Sequence, residues 1–208
     1  MADFEGRGPR SDVAFTPSVK TIQSARGSRR GYEHRAGIND WEADISEGLQ
    51  AFIESTTTAF LATATAEGQP YVQHRGGPPG FLRVLDKNTV GFVDFSGNRQ
   101  FITTGNLAEN DKVHLFLVDY FHRQRVKIWG RAKVVKGDAD LVSRLMPKGY
   151  RARAEQVILL TVTAWDVNCP QHIPQMMEVS VIREAIEMRD ERIRQLEAQL
   201  AEAQGSAE

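Results

Sequence analysis

Between Thr58 and Trp165 the apolar and β-branched residues come in short runs, punctuated by Gly, Pro, Asn and Asp. Such runs predict strands joined by tight turns. Ala59–Thr65 and Pro70–Arg75 read as a first hairpin, turning at Glu67-Gly68-Gln69. Phe81–Leu85 and Thr89–Phe95 read as a second, turning at Asp86-Lys87-Asn88. Lys112–Asp119 and Arg125–Val135 make a third, and Glu155–Trp165 is the last long strand. Residues 98–109 read as helical or irregular, and 138–146 as a short helix. The gaps between runs are too short for repeated βαβ crossovers. Six or seven closely spaced strands of this kind predict an antiparallel barrel or sandwich, mainly β with flanking helices.

Two segments carry a helical period instead. Asn39 stands three positions before Glu42, as in a capping box, and Ile45, Leu49, Phe52 and Ile53 then fall on one face. This predicts an amphipathic helix starting near Asn39. In the tail, Val179, Ile182, Ile186, Ile193, Leu196 and Leu200 recur in alternating three- and four-residue steps, interrupted only by Arg189. This is a heptad pattern. It reads either as a self-pairing coiled coil or as a single helix lying on the barrel. Pairing is favoured because the seam runs far past any barrel edge.

Residues 1–37 are rich in Gly, Ser, Arg and Pro, and cannot bury enough surface to offset their ordering entropy. They read as a loose arm, or as a strap laid on a partner and anchored by Phe4, Phe15, Val19 and Ile22. Arg26, Arg29, Arg30 and Arg35 read either as a phosphate site or, the favoured reading, as a solvated part of the arm. The expected organisation is a flexible arm over 1–37, a barrel domain over 38–175 and a coiled-coil helix over 176–208.

Bulk composition narrows the classes. The chain has 208 residues with 25% charged and 41% hydrophobic, an ordinary globular balance. The formal net charge is -1 and the sequence pI about 6.5, so the electrostatic footprint of a nucleic-acid binder is absent. Cys169 is the only cysteine; it can form no intramolecular disulfide and fits a reducing compartment. The polar start shows no secretory h-region, and no apolar run reaches the roughly 18 residues of a membrane helix. A cytoplasmic protein without membrane or nucleic-acid partners is expected.

Familiar catalytic signatures (G-x-S-x-G, a Walker loop, H-E-x-x-H) are missing. The five histidines are scattered. His114 falls in a strand and His122 in a turn. Cys169 and His172 are two potential ligands, too few for a zinc site, and read as part of a structural loop. No metal is expected. The stretches that stand out are His74-Arg-Gly-Gly-Pro-Pro-Gly80 and Gly97-Asn-Arg-Gln-Phe-Ile-Thr-Thr-Gly-Asn-Leu107. Glycines let backbone N–H groups approach an anion, and Arg and Asn add charge and directed donors. By composition alone these are either a phosphate cradle at a barrel rim or two glycine-rich turns with exposed arginines.

The run from about Thr57 to Val135 resembles the FMN-binding split barrel of the pyridoxamine 5′-phosphate-oxidase-like family. The order of parts matches: an Ala/Thr-rich first strand, a Gly-Gln-Pro turn, then the glycine–proline stretch ending in Phe81. Asp94-Phe-Ser-Gly-Asn-Arg99, Gly105-Asn-Leu-Ala-Glu-Asn110 and Arg125-Val-Lys-Ile-Trp-Gly-Arg131 follow. The resemblance implies a six- to seven-stranded antiparallel split β-barrel plus a C-terminal coiled-coil helix. It also implies FMN as cofactor and a homodimer with FMN at the subunit interface. Carried onto this chain, it places His74, Arg75 and Gly76 against the cofactor, and the backbone of Val93 and Asp94 against the flavin ring. Asn98 and Arg99 match the pair that grips the 5′-phosphate, with Arg99 foremost because a guanidinium can hold two phosphate oxygens. Asn106 reaches the ribityl chain or phosphate, and Gln124 and Arg125 set polar side chains against the ring. Trp165 either covers a ring edge or is a strand aromatic in the core.

The chain departs from the true oxidases in two places. Glycines and prolines stand at His74–Pro78, where the oxidases carry a longer basic strand with a lysine. A coiled-coil tail stands where their pyridoxal-binding segment would follow Trp165. The resemblance therefore implies an FMN-dependent oxidoreductase acting on an unknown small molecule rather than on pyridoxamine phosphate, and no catalytic side chain is named. The alternatives are a non-catalytic flavin or haem carrier or sensor, and an assembly protein whose barrel supports the coil.

Overall fold

The computed structural model describes residues 9–167 and 170–205. They fall into two units, one comprising the barrel with everything N-terminal to it, the other Tyr120–Arg123 with the segment from Gln171 onward.

The first unit is built on one antiparallel sheet of seven strands. These are β1 (Thr58–Ala64), β2 (Pro70–Gly76), β3 (Arg83–Asp86), β4 (Thr89–Phe95), β5 (Lys112–Asp119), β6 (Gln124–Val135) and β7 (Ala154–Val167). Their order is β2-β1-β5-β6-β7-β4-β3. Strict alternation sends Ala59, Leu61, Val113, Leu115, Leu117, Val126 and Ile128 into a core they share with Phe92, Leu160 and Val162. Each fully buried Val, Leu, Ile or Phe among them contributes about 1.5–3 kcal/mol. A bond from Arg75 of β2, at one end of the strand order, to Asp94 of β4, next to the other end, requires the sheet to curl on itself. The mainly β class, the split-barrel form and the C-terminal helix expected from the sequence are all present.

The helices α3 (Glu47–Ser55), α4 (Ile102–Glu109) and α5 (Ala139–Leu145) cover the sheet. α3 closes the main core with Leu49 and Ile53. α5 closes a smaller one around Val93, Leu145 and Val157. The helix expected from Asn39 begins later, at Glu47, with the Ser46 hydroxyl accepting from the Leu49 N–H at 3.2 Å. The reason is competition for the intervening residues. Asn39 instead ends a preceding helix, Trp41 stacks on Trp129 at 4.7 Å, and the Glu42 carbonyl accepts from the Trp165 N–H at 3.0 Å.

N-terminal to this lies regular structure that the composition did not suggest. A 3₁₀ turn at Arg10–Val13 leads into α1 (Pro17–Ala25) and α2 (Arg29–Ile38). Thr16 caps α1 through the Val19 N–H, and Pro17 occupies its first position, where a missing N–H costs nothing. Phe15, one of the expected anchors, packs on Tyr32 and Trp41, whereas Ile22 is exposed and Phe4 lies outside the described residues.

These aromatics, with Trp129 of β6, put His114 of β5 in an apolar setting. His114 meets the Trp129 ring edge-on at 4.9 Å. Burial, and secondarily the Lys127 ammonium, hold its pKa below the ordinary 6.5. The unfolded chain therefore binds a proton that the folded chain refuses, and stability falls as pH drops below about 6.5. The melting temperature is expected to decline between pH 7.5 and 5.5, and His114→Gln to flatten part of that slope. An unchanged slope in the variant would reassign the effect to other groups.

In the second unit α6 (Val179–Gly205) is a single long helix, preceded by a segment tied to the turn Tyr120–Arg123. The Gln175 side chain donates to the Phe121 carbonyl at 3.0 Å, and the Met176 N–H to that of Tyr120 at 3.3 Å. Among the described residues no helix is long and apolar enough to cross a membrane.

Candidate functional site

Where β2 and β4 converge, a cavity of about 320 Å³ opens, lined by both glycine-containing stretches. Arg75 pairs with Ala59 in the sheet register, so its side chain points to the core side, unlike its neighbours His74 and Gly76. There it forms an ion pair with the Asp94 carboxylate and donates to the Thr103 hydroxyl at 3.1 Å. The network continues through Gln156, whose amide donates to Asp94 at 2.9 Å and to the Thr104 hydroxyl at 2.7 Å. Four chain segments are thereby locked together around the first turn of α4. The Arg75 Nε is buried without an acceptor.

α4 starts without a side-chain cap. Phe101, in the N-cap position, has φ +55°, and Arg99 two residues earlier has φ +59°. Such left-handed conformations are uncommon outside Gly and concentrate at functional sites. The first intrahelical bond is from the Gly105 N–H to the Phe101 carbonyl. The N–H groups of Ile102, Thr103 and Thr104 precede it, and all three residues line the cavity. Positive helix-end dipole, N–H groups outside the helical bonds and a nearby guanidinium are features that suit an anion. Asn98 accepts from the Gln100 N–H at 3.2 Å, which fixes the loop. Arg99 is exposed, with its guanidinium 5.6 Å from the Phe101 ring centre. Arg75 is neutralised by Asp94, whereas among the described residues Arg99 has no ion pair with a carboxylate.

The cavity floor is apolar, from Phe81 and Phe92. Gly77 makes this possible: a Cβ there would stand 2.6 Å from Cβ of Phe81. The glycine–proline stretch thus serves to seat Phe81 under the cavity.

The cavity gathers seven of the eleven expected site residues: His74, Arg75, Gly76, Val93, Asp94, Asn98 and Arg99. Val93 turns its side chain into the small core, leaving its backbone to the site. Asp94 contributes a carboxylate as well as backbone. Four others lie elsewhere in the single chain. Asn106 is buried, donating to the Thr63 hydroxyl at 2.9 Å. Trp165 packs on the main core and donates from its indole to the Asp44 carbonyl at 3.1 Å. Gln124 and Arg125 open β6, and Arg125, next to inward Val126, faces the opposite side of the sheet. Thr103, Thr104, Gln156 and Phe81 were not singled out beforehand. Thr103 and Thr104 lie within a glycine-containing stretch and Phe81 ends the other, whereas Gln156 stands in a strand with several polar residues and is distinguished only by its burial.

The opposite face of β2, β1, β5 and β6 is also informative. The register sets His74, Phe60, Phe116 and Lys127 in one row, and Val72, Ala62, His114 and Trp129 in the next. Val72 is 59% exposed. His74 and Gly76 belong both to this face and to the cavity rim, so the two surfaces are continuous.

A family model described as pyridoxamine 5′-phosphate oxidase matches residues 45–169. No curated protein matches the sequence. Among solved structures, HupZ of Group A Streptococcus is 18% identical with a TM-score of 0.50, covering 64% of this chain and 99% of that one. An FMN-binding protein from Syntrophomonas wolfei is 9% identical (TM-score 0.49; 72% of this chain, 97% of that one). The heme storage protein HutZ from Vibrio cholerae is 15% identical (TM-score 0.41; 60% of this chain, 94% of that one).

Proposed function

The chain belongs to the pyridoxamine 5′-phosphate oxidase family, and from that premise we propose that it binds FMN in the β2–β4 cavity and works as an FMN-dependent oxidoreductase on a small molecule. The observation that carries the reading is the convergence of Arg99, Asn98 and the uncapped start of α4 on one cavity, beside an arginine whose charge is already paired. These residues suit a terminal phosphate. Arg99 and the α4 N–H groups would hold it, and the Arg75–Asp94–Gln156 network would keep the helix start in place. Phe81 and Phe92 supply the apolar floor that a flavin ring needs.

When bound, FMN supplies the hydride or electron chemistry. The protein's part is to bind, orient and exclude water, and no side chain is assigned a proton transfer. A second copy seated on the face of Phe60, Val72 and Phe116 would complete a homodimer. It would also bring the Gln124 and Arg125 of each copy toward the partner's cavity rim. The single cysteine fits a cytoplasmic setting.

Purified protein is expected to be yellow, or to become so on adding FMN. Protein that stays colourless and cannot be reconstituted would overturn the reading, and copurifying haem would favour a carrier. NADH or NADPH oxidation with quinone or nitro acceptors tests the enzymatic half; a bound flavin that no donor reduces would make the protein a carrier. Arg99→Ala is expected to weaken FMN by about 10- to 100-fold, the worth of a charged hydrogen-bonding partner. Riboflavin, which lacks the phosphate, should bind the variant and the parent alike. Equal losses for both ligands would remove Arg99 from the phosphate.

A further inference from the structure

α6 is 27 residues long, and its six apolar seam residues are all exposed, from 41% for Ile182 to 69% for Val179. Isolated helices gain little from propensity alone and are held mainly by packing of an apolar face. Alternate three- and four-residue steps put Val179, Ile186, Ile193 and Leu200 at heptad position a, and Ile182, Arg189 and Leu196 at d. We propose that two copies of this chain pair through α6 as a parallel, in-register, two-stranded coiled coil, with Arg189 of each helix set against Asp190 of the other.

The occupant is a second copy because the helix is complementary to itself in one orientation. β-Branched Val179, Ile186 and Ile193 at a, with Leu196 at d, favour two strands, although Ile182 at d and Leu200 at a do not follow that pattern. In that arrangement each g position faces the e position five residues on in the other helix. Glu178 then meets Arg183 and Arg192 meets Glu197, twice each by symmetry. The remaining combinations, Ala185 with Asp190 and Gln199 with Gln204, oppose no like charges. An antiparallel pair with the whole seam overlapped would set Asp190 against Asp190 and Arg192 against Arg192. Sliding it by one heptad to escape that leaves Leu200 without a layer.

Arg189 is the break in the seam, and the parallel pair gives it a place. A d residue inserts into a hole whose walls include the partner's next e residue, which is Asp190. The two arginines and two aspartates of that layer are neutral overall. A polar layer of this kind costs stability but fixes register and partner number. This inference concerns the tail and does not depend on what the barrel binds.

The test uses the full chain with Cys169→Ser as background. Leu196→Cys is compared with Ala198→Cys, which lies at outward position f. With oxidised glutathione, Leu196→Cys should cross-link to covalent dimer at least about ten-fold faster than Ala198→Cys. Arg189→Asp should slow that cross-link about ten-fold, and adding Asp190→Arg should restore it. Circular dichroism of each variant confirms that it is folded. Absence of cross-linking, equal rates at 196 and 198, or cross-linking of Leu196→Cys only when mixed with Ile186→Cys (the antiparallel partner) would overturn the pairing. Indifference to Arg189→Asp would overturn the register.

Discussion

Arg75→Met is expected to destabilise the protein by about 3–5 kcal/mol, the cost of leaving a buried charge without its counter-ion. The Arg75 and Asp94 side chains are only 16% and 12% exposed, so water cannot take over. Methionine fills most of the arginine stem's volume, which confines the loss to the charge and its bonds. Asp94 would keep the Gln156 amide, a neutral donor that cannot balance a carboxylate. The Thr103 hydroxyl would lose its donor too, loosening the start of α4. Asp94→Asn should be destabilising as well, and the Arg75→Met/Asp94→Asn double variant less so than the sum, because the charges vanish together. Urea denaturation of the four proteins gives the coupling directly. If Arg75→Met unfolds within about 1 kcal/mol of the parent, the pair does not tie β2 to β4. The contrast with Arg99→Ala is diagnostic: that variant should keep its stability and lose phosphate affinity, since exposed Arg99 bridges no strands.

The strands were legible in the sequence because short apolar and β-branched runs are bounded by Gly, Pro, Asn and Asp turns. β4 and β5 fall on the residues those runs mark, and β1, β2, β6, β7 and α5 deviate only at their ends. The misses have a common physical cause, which is that a local signal was outbid by a distant partner. Asn39 and Glu42 spell a capping box, but the stacking of Trp41 on Trp129 and the Glu42–Trp165 bridge hold those residues extended. α1 and α2 are polar, and their cohesion comes from Phe15, Tyr32 and Trp41, three aromatics too far apart to form a periodic pattern.

The candidate site divides along the same line. Arg75, Asp94, Asn98 and Arg99 were visible because glycine-flanked Arg and Asn are a local cue, reinforced by the order of motifs. Thr103, Thr104 and Gln156 were not, because their roles exist only once β2, β4, β7 and α4 are brought together. The placement of Arg125 on the far face, opposite to inward Val126, is the corresponding gain. A strand's two faces read alike in sequence, and only the register says which of them the cavity can use.

Gly130→Ala is expected to cost about 3 kcal/mol or more, lowering the melting temperature by roughly 6–12 °C for a chain of this size. The glycine's backbone conformation is ordinary, so the requirement is one of space. A Cβ at position 130 would stand 2.4 Å from the Thr161 carbonyl oxygen and 3.0 Å from a Leu160 methyl. A side chain could swing away, but a backbone carbonyl moves only if β7 moves. The glycine sits where the β6–β7 register slips, between Trp129 opposite Ala164 and Gly130 opposite Val162. The extra residue, Thr163, is held by its hydroxyl donating to the Trp129 carbonyl at 3.2 Å. Such bulges increase local twist and bend a strand. Here the bend lies in the middle of a sheet in which β2 and β4 must approach for Arg75 to reach Asp94. Spreading β6 from β7 should therefore be felt at the cavity as well as in the melting curve. If the cavity holds FMN as proposed, its release from Gly130→Ala is expected to begin below the melting temperature, and in the parent to coincide with unfolding. A variant that melts like the parent would mean that β7 yields at little cost and that the sheet's curl does not depend on this contact.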